Sequence, residues 1–202
     1  MATATMTEKP AYLGLLNAIS LGETNAGIYL TAWADATPDP DLACTLRLVA
    51  ARETSHGDLF RRRLCELGYE LIRKPDPASA ARHAKFADPK ISDLEKVGAE
   101  REESDPFREL ESRLAAGEFD TMTCNMLTWY IGEERDSGAR LREAYDCVRA
   151  KAKGGRKANG ANGHAATMDA GPSADAQAIM ACMTAGFAKL EKTLEKVARA
   201  SK

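Results

Sequence analysis

Apolar residues recur every three or four positions along residues 46–67, which predicts a long amphipathic helix with one buried face. The positions of that face are Leu42, Leu46, Val49, Phe60, Leu64 and Leu67. Glu53 and His56 occupy the two steps that are missing from it, so a carboxylate and an imidazole point toward the predicted core. Burying a carboxylate is costly unless it is paired or binds a metal. The pattern therefore predicts either a self-satisfied polar pair or a charged group between helices.

A second apolar stripe lies earlier in the chain, between residues 12 and 33, and its missing step is Glu23. Its members are Tyr12, Leu16, Ile19, Ala26, Leu30 and Trp33. The segment ATPDPD at 36–41 predicts a tight turn, with Pro40 near the start of the next helix. Glu23 and Glu53 each lie about 15 residues from this turn, which places them at a similar height in two antiparallel helices at roughly 1.5 Å per residue.

The third stripe predicts a helix from about residue 121 to residue 149, with Glu134 in its gap. Its members are Leu127, Ile131, Gly138, Leu141, Tyr145 and Val148. Segments 53–60 and 134–141 superpose with glutamate on glutamate and glycine on glycine, but His56 falls on Ser137. If this reflects a repeated helical hairpin, Glu103 or Glu102 lies opposite Glu23.

The remaining segments have compositions typical of connections and appendages. Residues 1–9 form a polar leader, and residues 68–90 are interpreted as a crossover with at most a short helical turn, in which His83 is solvated. Residues 91–117 are either one kinked helix or two pieces, interrupted at Asp105-Pro106. Residues 151–172 predict a flexible linker, in which His164 is unligated, and residues 173–202 an amphipathic helix that packs on a partner subunit in preference to its own bundle.

Composition narrows the class of protein. The 202 residues carry a formal net charge of −2, which argues against nucleic acid as a partner. No apolar run is long enough to span a membrane and no secretion signal is visible, so we expect a cytoplasmic protein. The five cysteines show no paired spacing and are interpreted as reduced, buried thiols.

The residues 10–150 resemble the ferritin-like superfamily, which includes ferritins, bacterioferritins and rubrerythrins. The resemblance rests on Glu23, on the motif Glu53-x-x-His56 and on Glu134. It implies an all-α four-helix bundle with a long crossover between helices 2 and 3. It also implies two iron or manganese ions, with Glu23, Glu53 and His56 on one ion, Glu53 as a bridge, and Glu134 with a helix-3 glutamate such as Glu103 on the other.

The second half of the chain departs from the symmetric pattern of the family. Ser137 lies where family members with a symmetric site have a histidine. Glu133-x-x-Asp136 is an alternative second motif, although Glu133 lies off the apolar stripe. Tyr130 lies one turn from Glu134, where it can hydrogen-bond a ligand or donate an electron, while simple core packing is the plainer interpretation.

Two functional hypotheses follow. The first is a di-metal oxidoreductase of the ferroxidase or peroxide-scavenging type, which uses iron, manganese or a mixed pair with dioxygen or peroxide as its small-molecule partner. The second is a non-enzymatic helical scaffold whose metal site is degenerate and holds no ion. In both, the C-terminal helix favours a homodimer or a higher oligomer, whereas the linker and tail do not favour an iron-storage cage.

Overall fold

The structure is a computed structural model that describes residues 9–73, 76–98 and 105–158. These ranges hold six α-helices and no strand, which confirms the all-α prediction. The helices are α1 (Leu13–Ala36), α2 (Pro40–Glu66), α3 (Pro77–Ala87), α4 (Asp93–Val97), α5 (Arg108–Ala115) and α6 (Thr121–Ala158). Glu102, Glu103 and the predicted helix at 173–202 lie outside the described residues. None of the described helices combines the length and the apolar character that a membrane span requires.

Helices α1 and α2 form the predicted hairpin, joined by a turn of three residues. Asp39 caps α2, because its carboxylate accepts hydrogen bonds from the backbone N–H groups of Asp41 at 3.1 Å and Leu42 at 3.3 Å. Pro40 occupies the first turn of α2, where the missing N–H costs nothing. The turn therefore fixes the register in which the two helices meet.

The hairpin helices approach closely at two glycines. A Cβ atom on Gly27 would lie 2.4 Å from Thr54 Oγ1 and 3.1 Å from the Ala50 carbonyl oxygen. A Cβ atom on Gly57 would lie 2.4 Å from Thr24 Oγ1 and 3.1 Å from the carbonyl oxygen of Ser20. Each helix thus presents a glycine to the backbone of the other, and the two contacts flank the level of Glu23 and Glu53.

We expect Gly57→Ala to destabilise the protein by about 1–3 kcal/mol, since the added methyl group meets backbone atoms that cannot rotate away. Urea denaturation measures the change. Gly22→Ala on α1 is the matched control, because nothing lies within 4 Å of the Cβ it would add. There the better helix propensity of alanine is expected to stabilise by up to about 1 kcal/mol. Equal changes in the free energy of unfolding for the two variants would contradict the close approach of α1 and α2 at Gly57.

The core consists of two apolar clusters that lie on either side of the charged level. One cluster contains Leu16, Phe60, Leu64, Phe107 and Leu127, and the other contains Leu30, Trp33, Leu46, Val49 and Val148. Side chains of α1, α2 and α6 contribute to both. The apolar stripes predicted from the sequence therefore face the interior. The polar residues that interrupt these stripes lie between the two apolar clusters.

The connection between α2 and α6 contains more helix than the sequence predicted. Residues 68–90 were expected to hold at most a short helical turn, yet α3 spans Pro77–Ala87 and inserts Phe86 beside Trp33, with ring centroids 5.5 Å apart. Asp76 caps α3 by accepting a hydrogen bond from the backbone N–H of Ala78. The capped proline start and an alanine-rich sequence explain this helix, which hydrophobic periodicity alone does not reveal.

Three further predictions from the sequence can be compared with the structure. Residues 91–117 form separate helices α4 and α5, as the two-piece alternative required. Helix α6 continues to Ala158, beyond the end expected near residue 149. Residues 150–153, AKAK, favour helix, and the helix also runs through Gly154 and Gly155, which do not. The prediction of buried thiols is wrong for Cys44, Cys65 and Cys147, which are free but exposed.

Asp120 anchors the start of α6 to the rest of the fold. Its carboxylate accepts hydrogen bonds from the Thr123 backbone N–H at 3.1 Å, from Tyr12 Oη at 2.5 Å and from Arg63 at 2.7 Å. Burial raises the pKa of Asp120, but hydrogen bonds from Thr123, Tyr12 and Arg63 outweigh it and hold the pKa well below its usual range.

Because the folded pKa of Asp120 lies below the unfolded value, its stabilisation is present above about pH 4 and is lost as the pH falls further. We expect Asp120→Asn, which keeps a capping side chain, to lessen the loss of stability between pH 5 and 3. Asp120→Ala should also remove the cap, at a cost of about 1 kcal/mol at pH 7. Thermal melts across this pH range measure both effects. An Asn variant with the acid sensitivity of the native protein would contradict the assignment.

Candidate metal centre

Four side chains from three helices converge between the two core clusters. Helix α1 supplies Glu23, α2 supplies Glu53 and His56, and α6 supplies Glu134. Their residues are between 0% and 3% exposed. One ligand atom of each lies within 4.8 Å of the corresponding atoms of the other three. The sequence predicted this convergence, and the group can hold a metal ion.

Five potential donor atoms of this cluster have no hydrogen-bond partner. They are Glu23 Oε2, Glu53 Oε2, His56 Nδ1 and both carboxylate oxygens of Glu134. His56 Nδ1 lies 2.9 Å from Glu134 Oε1, without a hydrogen bond of regular geometry between them. Each unsatisfied buried polar group costs about 1–3 kcal/mol, and more when it is charged. A cation among these atoms would satisfy all of them at once, so the residues fit a bound metal.

Neighbouring side chains fix the orientation of two members of the cluster. Tyr130 Oη donates a hydrogen bond to Glu23 Oε1 at 2.6 Å, and both groups are buried. His56 Nε2 lies 2.9 Å from Glu133 Oε2, a carboxylate that is partly exposed. A carboxylate on the outer ring nitrogen is a common partner of metal-binding histidines and leaves the other nitrogen facing the site. Here that nitrogen is Nδ1, which has no hydrogen-bond partner.

In the absence of a bound cation, the surroundings of the cluster shift the pKa values of three of its residues. Burial raises the pKa of Glu53, and the nearby carboxylate of Glu23 raises it further. Burial also raises the pKa of Glu134, although its contact with His56 works against that shift. Burial lowers the pKa of His56, but its contacts with Glu134 and Glu133 outweigh this effect and raise the pKa overall.

The metal-free protein is therefore expected to lose stability as the pH rises from about 5 to 8. The folded pKa values of Glu53, Glu134 and His56 all lie above the unfolded values, so the folded state binds more protons than the unfolded state in this range. Urea titrations in the presence of a chelator measure the trend. A free energy of unfolding that rises steadily with pH over this interval would contradict the predicted protonation.

The structure does not bring every predicted site residue into the cluster. The carboxylate of Asp136 is 46% exposed and pairs with Arg52 at 2.6 Å and with Arg140 at 2.7 Å, so the alternative Glu133-x-x-Asp136 motif is not formed. Glu133 contacts the outer nitrogen of His56 instead of entering the group. Glu103 lies outside the described residues.

Tyr130 is packed among aromatic rings. The residue is 1% exposed. Its ring lies nearly perpendicular to those of His56, Phe60 and Phe107, with centroid distances of 5.1, 5.2 and 6.0 Å. Its hydroxyl nevertheless touches a cluster carboxylate, so packing and contact with the site coexist in one residue.

One signal in the sequence was overlooked. Residues 23–27 read ETNAG and residues 53–57 read ETSHG, which is the same Glu-Thr-x-x-Gly pattern in both hairpin helices. In each copy the threonine faces the glycine of the other copy. The repeat therefore encodes the close helix contact together with its two glutamates, and a search for internal repeats of five residues would have found it.

The chain was compared with models of protein families, with curated proteins and with solved structures, and none of the three comparisons found a significant match.

Proposed function

We propose that the protein is a ferritin-like metal-dependent oxidoreductase that binds iron or manganese through Glu23, Glu53, His56 and Glu134. The observation that carries the proposal is the set of five unpartnered donor atoms, which three helices direct to one place in the interior. Oxygen and imidazole donors suit both iron(II) and manganese(II). The ferritin-like bundle, with a long crossover after the second helix, is part of the same proposal.

Bound iron or manganese would supply redox chemistry and coordination positions open to a small oxidant. The protein limits which oxidant can enter, because the four cluster residues are at most 3% exposed. Such burial favours a molecule the size of dioxygen or hydrogen peroxide over an organic substrate. The ferroxidase and peroxide-scavenging classes fit this restriction.

Residues around the cluster have separate roles in this proposal. Glu133 orients the imidazole of His56 through Nε2, and Tyr130 holds Glu23 through its hydroxyl group. Burial and the nearby Glu23 carboxylate raise the pKa of Tyr130 well above its usual value, so the phenol keeps its proton at neutral pH. Tyr130 Oη is therefore a neutral proton donor in direct contact with a cluster carboxylate, that of Glu23.

The test is an anaerobic titration with iron(II), followed by air or hydrogen peroxide. We expect the protein to consume the oxidant and to convert chelatable iron(II) to iron(III) faster than buffer does. The variant Glu134→Met, which removes two of the five donor atoms, should lose this excess rate. Glu143→Met is the matched control, since Glu143 is exposed on the same helix. An oxidation rate equal to that of buffer would overturn the oxidoreductase and favour the scaffold hypothesis.

A further inference from the structure

We propose that the site takes a single metal ion, and that the guanidinium of Arg52 stands where a symmetric two-ion centre would hold its second ion. This inference rests on the proposed function and specifies its stoichiometry. It departs from the two ions that the family resemblance implies.

The spacing of the donor atoms suits one coordination sphere. Metal–donor bonds to oxygen and nitrogen are about 2.0–2.2 Å long, so donors on opposite sides of one ion lie at most about 4.4 Å apart. The four ligand atoms here lie within 4.8 Å of one another, which requires only a small contraction around an ion. Among the described residues, five donor atoms are buried without a partner, a number close to the need of one ion.

Arg52 contacts Ser137, the residue that would have to supply the second ion with a ligand. Its NH1 atom donates to Ser137 Oγ at 3.3 Å and to the carboxylate of Asp136 at 2.6 Å. Ser137 is 2% exposed and holds the position of the missing second histidine, three residues after Glu134. A guanidinium remains charged at every accessible pH, so it repels a cation at this position.

The charge balance points in the same direction. Asp136 is shared between Arg52 and Arg140, so this group beside the cluster carries one surplus positive charge. A second divalent ion at the position of Ser137 would lie next to that charge and be repelled by it.

Metal content and electron paramagnetic resonance of the full chain loaded with manganese(II) test the proposal. After removal of free metal, we expect one manganese ion per chain and the signal of an isolated ion. In the double variant Arg52→Ala/Ser137→His, the second motif regains its histidine and loses the fixed charge, so the content should rise to two. Arg61→Ala is the matched control on α2, because Arg61 pairs only with the exposed Asp58 among the described contacts.

The outcomes separate this inference from the proposed function. Two ions per native chain, or a signal from two coupled ions, would overturn the single-ion site while leaving the metal-binding function intact. No bound ion would overturn both. A double variant that stays at one ion would overturn the role of Arg52.

Arg52→Gln provides a second measurement that does not depend on the double variant. Glutamine keeps a hydrogen-bond donor but removes the charge, so the dissociation constant for manganese(II) should fall several-fold. An unchanged constant in a folded variant would also overturn the role of Arg52.

Discussion

Glu134→Met is expected to raise the thermal stability of the metal-free protein while it abolishes metal binding. Both carboxylate oxygens of Glu134 are buried without a hydrogen-bond partner, next to two further acids. Replacing a buried ion pair by apolar side chains of similar volume is often neutral or stabilises a protein by about 1–4 kcal/mol. His56 keeps its contact with Glu133 in this variant, so the imidazole is not left without a partner. At about 2–4 °C per kcal/mol for a chain of this size, the gain should be visible by calorimetry with a chelator present.

The control for this experiment is Glu143→Met, which makes the same change at an exposed position of α6 and should leave the melting temperature almost unaltered. A large fall in the melting temperature of Glu134→Met without metal would show that the carboxylate is satisfied in the native fold. Such a result would remove the physical basis of the metal site.

Addition of manganese(II), or of iron(II) without oxygen, is expected to raise the melting temperature of the native protein. A ligand that binds only the folded state stabilises it by about 4 kcal/mol when its concentration is a thousand times the dissociation constant. For this chain that corresponds to roughly 8–16 °C. The rise should be reversed by a chelator and absent in Glu134→Met.

Two comparisons make the metal experiment specific. Magnesium at the same concentration should give a much smaller rise, since it retains its water ligands and prefers all-oxygen sites to a site with histidine. The effect of manganese should grow from pH 6 to pH 8, because the metal displaces protons from groups whose pKa values are raised in the folded protein. A rise of equal size with every divalent ion would indicate nonspecific binding to acidic residues.

The cluster was accessible to prediction because its residues interrupt otherwise regular stripes. In a helix, a glutamate at an apolar step must enter the core, and the short turn at 37–39 fixed the height of Glu23 relative to Glu53. Glu134 was found by the same rule in a helix that is distant in sequence. The convergence of the three acids follows from periodicity and chain length, without knowledge of any homologue.

The surroundings of the cluster were not accessible in this way. Asp136 was considered as a ligand, but its carboxylate is drawn outward by Arg52 and Arg140, and ion pairs between long exposed side chains leave no periodic signal. Glu133 was placed correctly off the stripe, yet its contact with His56 depends on the rotation of α6 against α2. Helix α3 was missed because it is short and its burial depends largely on the single side chain Phe86.

Trp129 lies close enough to the cluster for its fluorescence to report metal binding. Its indole is half exposed, at 49%, and meets the ring of His56 edge-on with centroids 5.3 Å apart. The other tryptophan, Trp33, is fully buried in the apolar cluster that includes Phe86. A paramagnetic ion held by His56 would quench the fluorescence of Trp129 at short range, so in a Trp33→Phe background the emission at each step of a titration would follow occupancy directly. Ion uptake and release can then be timed by stopped flow without any attached dye.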